Sequence, residues 1–141
     1  MKCWIMQGLP GSGKSTWVKH NIPDPVVILS TDSYFMEEGV YRYDNTKLGE
    51  YHNKVLRQFI ITCCEHHNVV VDNTNIRMFE LAPYYRIAEA MGYEVEIVRL
   101  LCSPEVCKRR NIHGVPYFVI DRMAEKMEEV PPWWKIRTIT E

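Results

Sequence analysis

Gly8-Leu9-Pro10-Gly11-Ser12-Gly13-Lys14-Ser15-Thr16 decides how the rest of the chain is read. The stretch satisfies G-x-x-x-x-G-K-[ST], and it lies between a short apolar run, Lys2–Gln7, and a segment that reads as a helix. A chance match in a chain of this composition is roughly 0.2%. The spacing has a physical reason. Glycines let the loop curl so that successive backbone N–H groups face one anion, and the following helix adds the positive end of its dipole. Lys14 supplies a cation for β- and γ-phosphates, and the Ser15 hydroxyl suits Mg²⁺. Gly8, Gly11, Ser12, Gly13, Lys14, Ser15 and Thr16 are therefore the expected nucleotide-binding residues, with Leu9 and Pro10 as fillers.

Working outward, apolar runs and helical stripes alternate. Val26–Leu29 and Val69–Val71 are continuously apolar, as buried parallel strands are, and Val95–Leu101 is a longer, largely apolar run broken by Glu96 and Arg99. Leu48, Tyr51, Val55, Phe59 and Thr62/Cys63 recur at helical spacing, with Asp44 or Asn45 as cap. Leu81, Tyr85, Ala88 and Met91 form a second stripe, stopped by Gly92, with Pro83 expected in the first turn. Ser103-Pro104-Glu105 reads as a helix start, and Pro116 opens a last helix through Met127. Lys135–Thr140 alternates as an edge strand does. The pattern predicts an α/β fold, a parallel sheet of four or five strands with helices on both faces. Ligands in such sheets bind beyond the C-terminal strand ends, here Gln7-Gly8, Ser30–Asp32 and Asp72–Asn75.

Composition narrows the function classes. The chain has 141 residues, 46% of them hydrophobic and 25% charged, which suits one folded domain over residues 1–141. Its 17 basic and 18 acidic side chains are evenly spread, so no basic arm marks it for broad nucleic-acid binding. No apolar run approaches the ~20 residues needed to cross a bilayer. No secretory leader precedes the first strand, and the five cysteines read as thiols in a reducing compartment. A cytoplasmic protein with no membrane contact and no obligate protein partner is the expectation.

The phosphate loop occurs in GTPases, motors and kinases. No guanine-reading Asn-Lys-x-Asp is present. Asp72 is followed by Asn73, where a motor ATPase carries a water-activating Glu. Transfer to an organic hydroxyl is the better reading. Such a kinase needs a base, and Asp32 at the end of Val26–Leu29 is placed for it, although a turn uses an aspartate there equally well. Asp72, ending Val69–Val71, is either a second oxygen ligand for Mg²⁺ beside Ser15 or another turn aspartate. Arg109 and Arg110 sit where a mobile lid over 104–116 would carry cations to the transferring phosphoryl group, or they form a solvated helix face. His113 lies in the lid turn without an assigned role, and Trp133-Trp134 reads as a packed tail.

With these motifs in order, the chain resembles the phage-type polynucleotide 5′-hydroxyl kinases, and more broadly the small P-loop kinases related to nucleoside monophosphate kinases. The residues that carry the resemblance are Gly8–Thr16 with Trp17, Thr31-Asp32-Ser33-Tyr34, Val71-Asp72-Asn73-Thr74-Asn75, and Arg109-Arg110-Asn111 followed by Val115-Pro116. The resemblance implies ATP and Mg²⁺, Asp32 as base, and a 5′ end of DNA or RNA as acceptor. It places Tyr34, Phe35 and Asn75 with Asp32 on the acceptor side. That family carries an arginine three residues after the base; Phe35 stands there in this chain, so the expected grip on the acceptor is stacking by Tyr34 and Phe35. A kinase for nucleotides or other small molecules, and a nucleotide-binding switch that transfers nothing, are the alternatives.

Overall fold

The computed structural model describes residues 1–140. β1 (Lys2–Gln7) leads through the phosphate loop into α1 (Lys14–Asn21) and β2 (Val27–Leu29). A 3₁₀ turn at Thr31–Phe35 opens a hairpin of β3 (Met36–Glu37) and β4 (Val40–Tyr41). α2 (Leu48–Cys64), β5 (Val69–Val71), α3 (Met78–Ala90) and β6 (Glu94–Leu101) follow, then α4 (Pro104–Arg109), α5 (Tyr117–Lys126) and β7 (Ile136–Thr140). The main sheet has five strands in the order β2-β5-β1-β6-β7, all parallel.

Central position explains the unbroken apolar runs. β1 is hydrogen-bonded on both sides, to β5 with Cys3 opposite Val69 and to β6 with Cys3 opposite Val95. Its side chains alternate between two cores. Cys3 and Ile5 join Val55 and Phe59 of α2 and Leu81 and Tyr85 of α3. Trp4 and Met6 join Val18 and Ile22 on the α1 face. A third cluster, Leu9, Ile76, Cys107 and Ile120, seats α4 and α5 against the phosphate loop. Leu9 is thus a buried anchor of that loop rather than a filler.

Several boundaries move from the sequence expectation. β2 lies at the sheet edge, so its apolar run is not fully buried and Ile28 is 52% exposed. α3 starts at Met78, which puts Pro83 in the second turn. Trp134 does pack the tail, stacked on Tyr85 with centroids 3.9 Å apart, whereas Trp133 is exposed. Among the described residues, no helix is long and apolar enough to cross a membrane.

Buried polar groups fasten the strand ends that carry the chemistry. Asn75 Nδ2 donates to the Met6 carbonyl (2.8 Å), and the Gly8 N–H donates to the Thr74 carbonyl (3.0 Å). Gln7 Nε2 donates to the Asn75 carbonyl, while Arg99 Nε donates to Gln7 Oε1 at 2.7 Å. The Arg99 guanidinium also donates to Glu129 and to the Glu128 carbonyl, which ties the chain after α5 to the sheet. Each partner satisfies a group that would otherwise be buried without one.

Candidate active site

The phosphate loop closes on itself as its glycines allow. Gly11 and Gly13 have φ of 83° and 95°, in the left-handed region. A Cβ on Gly11 would stand 2.4 Å from the Cys107 carbonyl oxygen, so α4 and the loop meet backbone to backbone. Lys14 Nζ donates to the Gly8 and Leu9 carbonyls at 3.0 and 2.8 Å. Burial pulls the Lys14 pKa down, and the Asp72 and Asp32 carboxylates push it back up. Those two charges thus act on the same ammonium group.

Asp72 sits as β5 ends, fixed by its N–H donating to the Leu29 carbonyl. Ser15 Oγ donates to Asp72 Oδ2 at 2.8 Å. Among the described residues, the buried Asp72 Oδ1 has no hydrogen-bond partner. Burial raises the Asp72 pKa, and the Ser15 hydrogen bond and the Lys14 charge oppose that rise. A hydroxyl, a carboxylate and one unsatisfied carboxylate oxygen form a hard-oxygen donor set that fits Mg²⁺.

Asp32 is presented by the 3₁₀ turn. Its N–H donates to Ser30 Oγ (3.1 Å), the side-chain cap of that turn. Asn73 Oδ1 accepts from both the N–H and the hydroxyl of Thr31, which fastens this turn to the end of β5. The Asp32 side chain is 50% exposed and opens on a cleft of about 1210 Å³ shared with Lys14, Ser15, Thr16 and Asp72. Tyr41 Oη donates to Asp32 Oδ1 at 3.3 Å, and burial with the Asp32 charge raises the Tyr41 pKa. His113 Nε2 lies 3.6 Å from Asp32 Oδ2.

The acceptor wall differs from the sequence expectation. Phe35 is 2% exposed and packed beneath Tyr51, Tyr43 and Tyr41, with centroids 4.7, 5.1 and 6.0 Å away. It borders the cleft with little of its ring uncovered and supports the wall from below. Tyr34 stacks on Tyr51 (5.5 Å) and packs on the core beside α2 and α3, off the cleft. Besides Phe35, the aromatics lining the cleft include Tyr41, Tyr43 and Tyr51, with Arg42 and Lys47 beside them. Asn75 is buried, with φ of 46°, and its amide donates to the Met6 carbonyl at the β1 end rather than facing the cleft. Arg110 borders the cleft, whereas Arg109 is exposed and lines neither this cleft nor the smaller one behind the loop. Gly8 works through its carbonyl, which accepts from Lys14, and stays off the cleft surface. Ser12 lines a second, smaller cleft of about 410 Å³ behind the loop, with Thr16, Trp17, His20, Arg110 and Ile139.

The residues that sequence reasoning missed, Tyr41, Asn73 and His113, act through partners distant in sequence. One signal was available. Glu38 (φ 51°) and Gly39 (φ 80°) make a two-residue turn with both positions left-handed, as a tight hairpin requires, and Val40-Tyr41 follows it.

Comparison with known proteins places this geometry. The family described as AAA domain matches residues 3–113, and the chain belongs to it. NEDD4-binding protein 2 of Homo sapiens is 36% identical over 131 residues, covering 86% of this chain and 7% of that protein, so the chain spans a small part of that relative's length. A structure of the Pnkp1/Rnl/Hen1 RNA repair complex superposes with a TM-score of 0.73 at 20% identity, over 89% of this chain and 43% of that one. A gluconokinase from Sinorhizobium meliloti 1021 superposes with a TM-score of 0.69 at 15% identity, over 99% of this chain and 82% of that one. The fold is that of the small P-loop kinases.

Proposed function

We propose that this member of the AAA domain family is an ATP-dependent kinase whose acceptor is the 5′-hydroxyl end of DNA or RNA. One observation carries the reading: Asp32, a half-exposed carboxylate, opens on the same cleft as Lys14 and the Ser15–Asp72 pair. A switch that only binds nucleotide has no use for a base beside its phosphate loop. Tyr41, Tyr43 and Tyr51 with Arg42 and Lys47 support a nucleic-acid end over a small polar acceptor, because each stacked base contributes about 1–3 kcal/mol. The Pnkp1-containing relative in fold supports the same acceptor. The chain acts as one kinase domain, with 104–116 as the lid.

In this mechanism the loop N–H groups and Lys14 hold the triphosphate, and Arg110 approaches it from the end of α4. Ser15 and Asp72 would hold Mg²⁺, which when bound would supply neutralisation of the phosphate charge. Asp32 accepts the hydroxyl proton as the acceptor oxygen bonds to the γ-phosphorus and the bond to the β,γ-bridging oxygen breaks. ADP leaves. Asn73, by holding Thr31, keeps Asp32 beside the donor. The smaller cleft behind the loop, with Trp17 and Arg110, suits the donor base.

The test is a screen of γ-labelled ATP against single-stranded DNA and RNA with 5′-hydroxyl ends, nucleosides and nucleotides. Labelled oligonucleotide is the expected product. Transfer to a free nucleotide or metabolite alone would make this a small-molecule kinase. Nucleotide binding with no transfer to any acceptor would make it a switch.

A further inference from the structure

We infer that His113 is a positioning residue for Asp32, which aims the base carboxylate from the lid segment; this rests on the kinase reading above. The two Asp32 oxygens face two different segments. Oδ1 receives the Tyr41 hydroxyl from β4, and Oδ2 faces His113 Nε2 from the connection between α4 and α5. The two arms touch each other: the His113 and Tyr41 rings lie with centroids 4.1 Å apart. Base, tyrosine and imidazole therefore form one packed unit.

The connection is built to present the imidazole inward. Ile112 is 88% exposed, whereas the His113 side chain is 33% exposed and borders the cleft. Asn111 closes the turn around His113, with its side chain accepting from the Val115 N–H (2.9 Å) and donating to the Val115 carbonyl. Gly114 takes φ of 66° inside that turn. Lys108 ties α4 to α5 through Asp121 at 2.9 Å. These contacts fix the turn independently of Asp32.

The distance of 3.6 Å is ion-pair range and longer than a hydrogen bond. Contacts of this kind tighten when substrate binds. A carboxylate has about four lone-pair sites, so Oδ2 accepts from His113 and still takes the acceptor proton. Without that contact the half-exposed carboxylate is held by the Tyr41 hydroxyl alone and can pivot about that one bond. A misplacement of about 1 Å at a reacting group reduces rate by as much as ~10²-fold.

The experiment uses the full chain, ATP and a single-stranded DNA oligonucleotide with a 5′-hydroxyl end. His113→Ala should lower kcat by roughly 10- to 100-fold with the KM for ATP unchanged. His113→Gln, which keeps an N–H donor at similar reach, should recover most of that loss. In an Asp32→Asn background, His113→Ala should add no more than about a twofold loss, because the two residues act as one unit. A full additional loss there means that His113 touches substrate itself and overturns the inference, as does a Gln variant no better than Ala. Nitrogen-15 spectra of the imidazole give a readout free of turnover: the His113 signals should shift in Asp32→Asn. Unshifted signals overturn the contact whatever the activity. If Asp32→Asn itself keeps wild-type kcat while the His113 signals shift, the contact stands, the base assignment of the kinase reading fails, and the positioning role falls with it.

Discussion

The donor side and the acceptor side of the cleft are built by different means. On the donor side, nine consecutive residues supply loop, cation and hydroxyl, and their partner Asp72 ends the adjacent strand. Backbone groups do much of the binding, and glycine conformation fixes their direction. On the acceptor side, Asp32, Tyr41, Tyr51 and His113 come from a 3₁₀ turn, a two-residue strand, a long helix and the segment after β6. Side chains do the work there, and each depends on the packing of another. A contiguous backbone device tolerates little variation; an assembled wall of side chains is adjustable.

The largest expected effect separates the two sides. Asp32→Asn cannot accept a proton, so kcat should fall by roughly 10²–10⁴-fold with ATP affinity unchanged in a binding titration. A matching collapse of ATP affinity would move Asp32 to the donor side. Phe35→Ala tests whether the wall rests on its buried support. Truncating this covered ring should destabilise the protein by about 3–5 kcal/mol in chemical denaturation. An unchanged midpoint with a weakened oligonucleotide KM would restore Phe35 as a direct stacking residue.

Lys14→Ala removes the loop cation and should reduce kcat by about 10²–10³-fold, read under saturating ATP. Asp72→Ala should abolish the Mg²⁺-dependent part of stabilisation by a non-hydrolysable ATP analogue, about 2.7 kcal/mol at a hundredfold excess over Kd. Because burial raises the Asp72 pKa, the wild-type increment should fade on acidification at a higher pH than an ordinary carboxylate gives. The smallest effect belongs to Tyr43→Ala. It removes one exposed ring and should weaken the oligonucleotide KM by about 1–3 kcal/mol, leaving the KM for ATP alone.

The same contrast explains what the sequence reveals. The loop is legible because its chemistry demands particular residues at fixed spacing. β1 and β5 are legible because central strands are apolar on both faces, and β6 because its apolar run is long despite the buried Glu96 and Arg99. Val27–Leu29 has the same composition yet lies at the edge, since apolar content does not encode the number of neighbours a strand has. Asp32 is found at its strand end, but its partners at positions 41 and 113 are not, because each contact joins segments unrelated in local pattern. Nearness to the base points to Tyr34 and Phe35 as stacking platforms, but adjacent side chains in a 3₁₀ turn diverge: Tyr34 packs on the core, and Phe35 borders the cleft with its ring largely covered. Asn75 is ambiguous in the sequence for a different reason. A polar residue at a strand end serves a carbonyl as readily as a ligand.

Gly11 has a mechanical consequence. Its Cα abuts the Cys107 carbonyl with no room for one additional carbon. Side chains absorb small displacements by changing rotamer, whereas two touching main chains have no such slack. A shift of the loop is therefore transmitted undamped to the root of α4. From there it reaches Arg110 at the end of that helix and His113 three residues later. The spot without a side chain is a direct main-chain joint between the phosphate loop and α4.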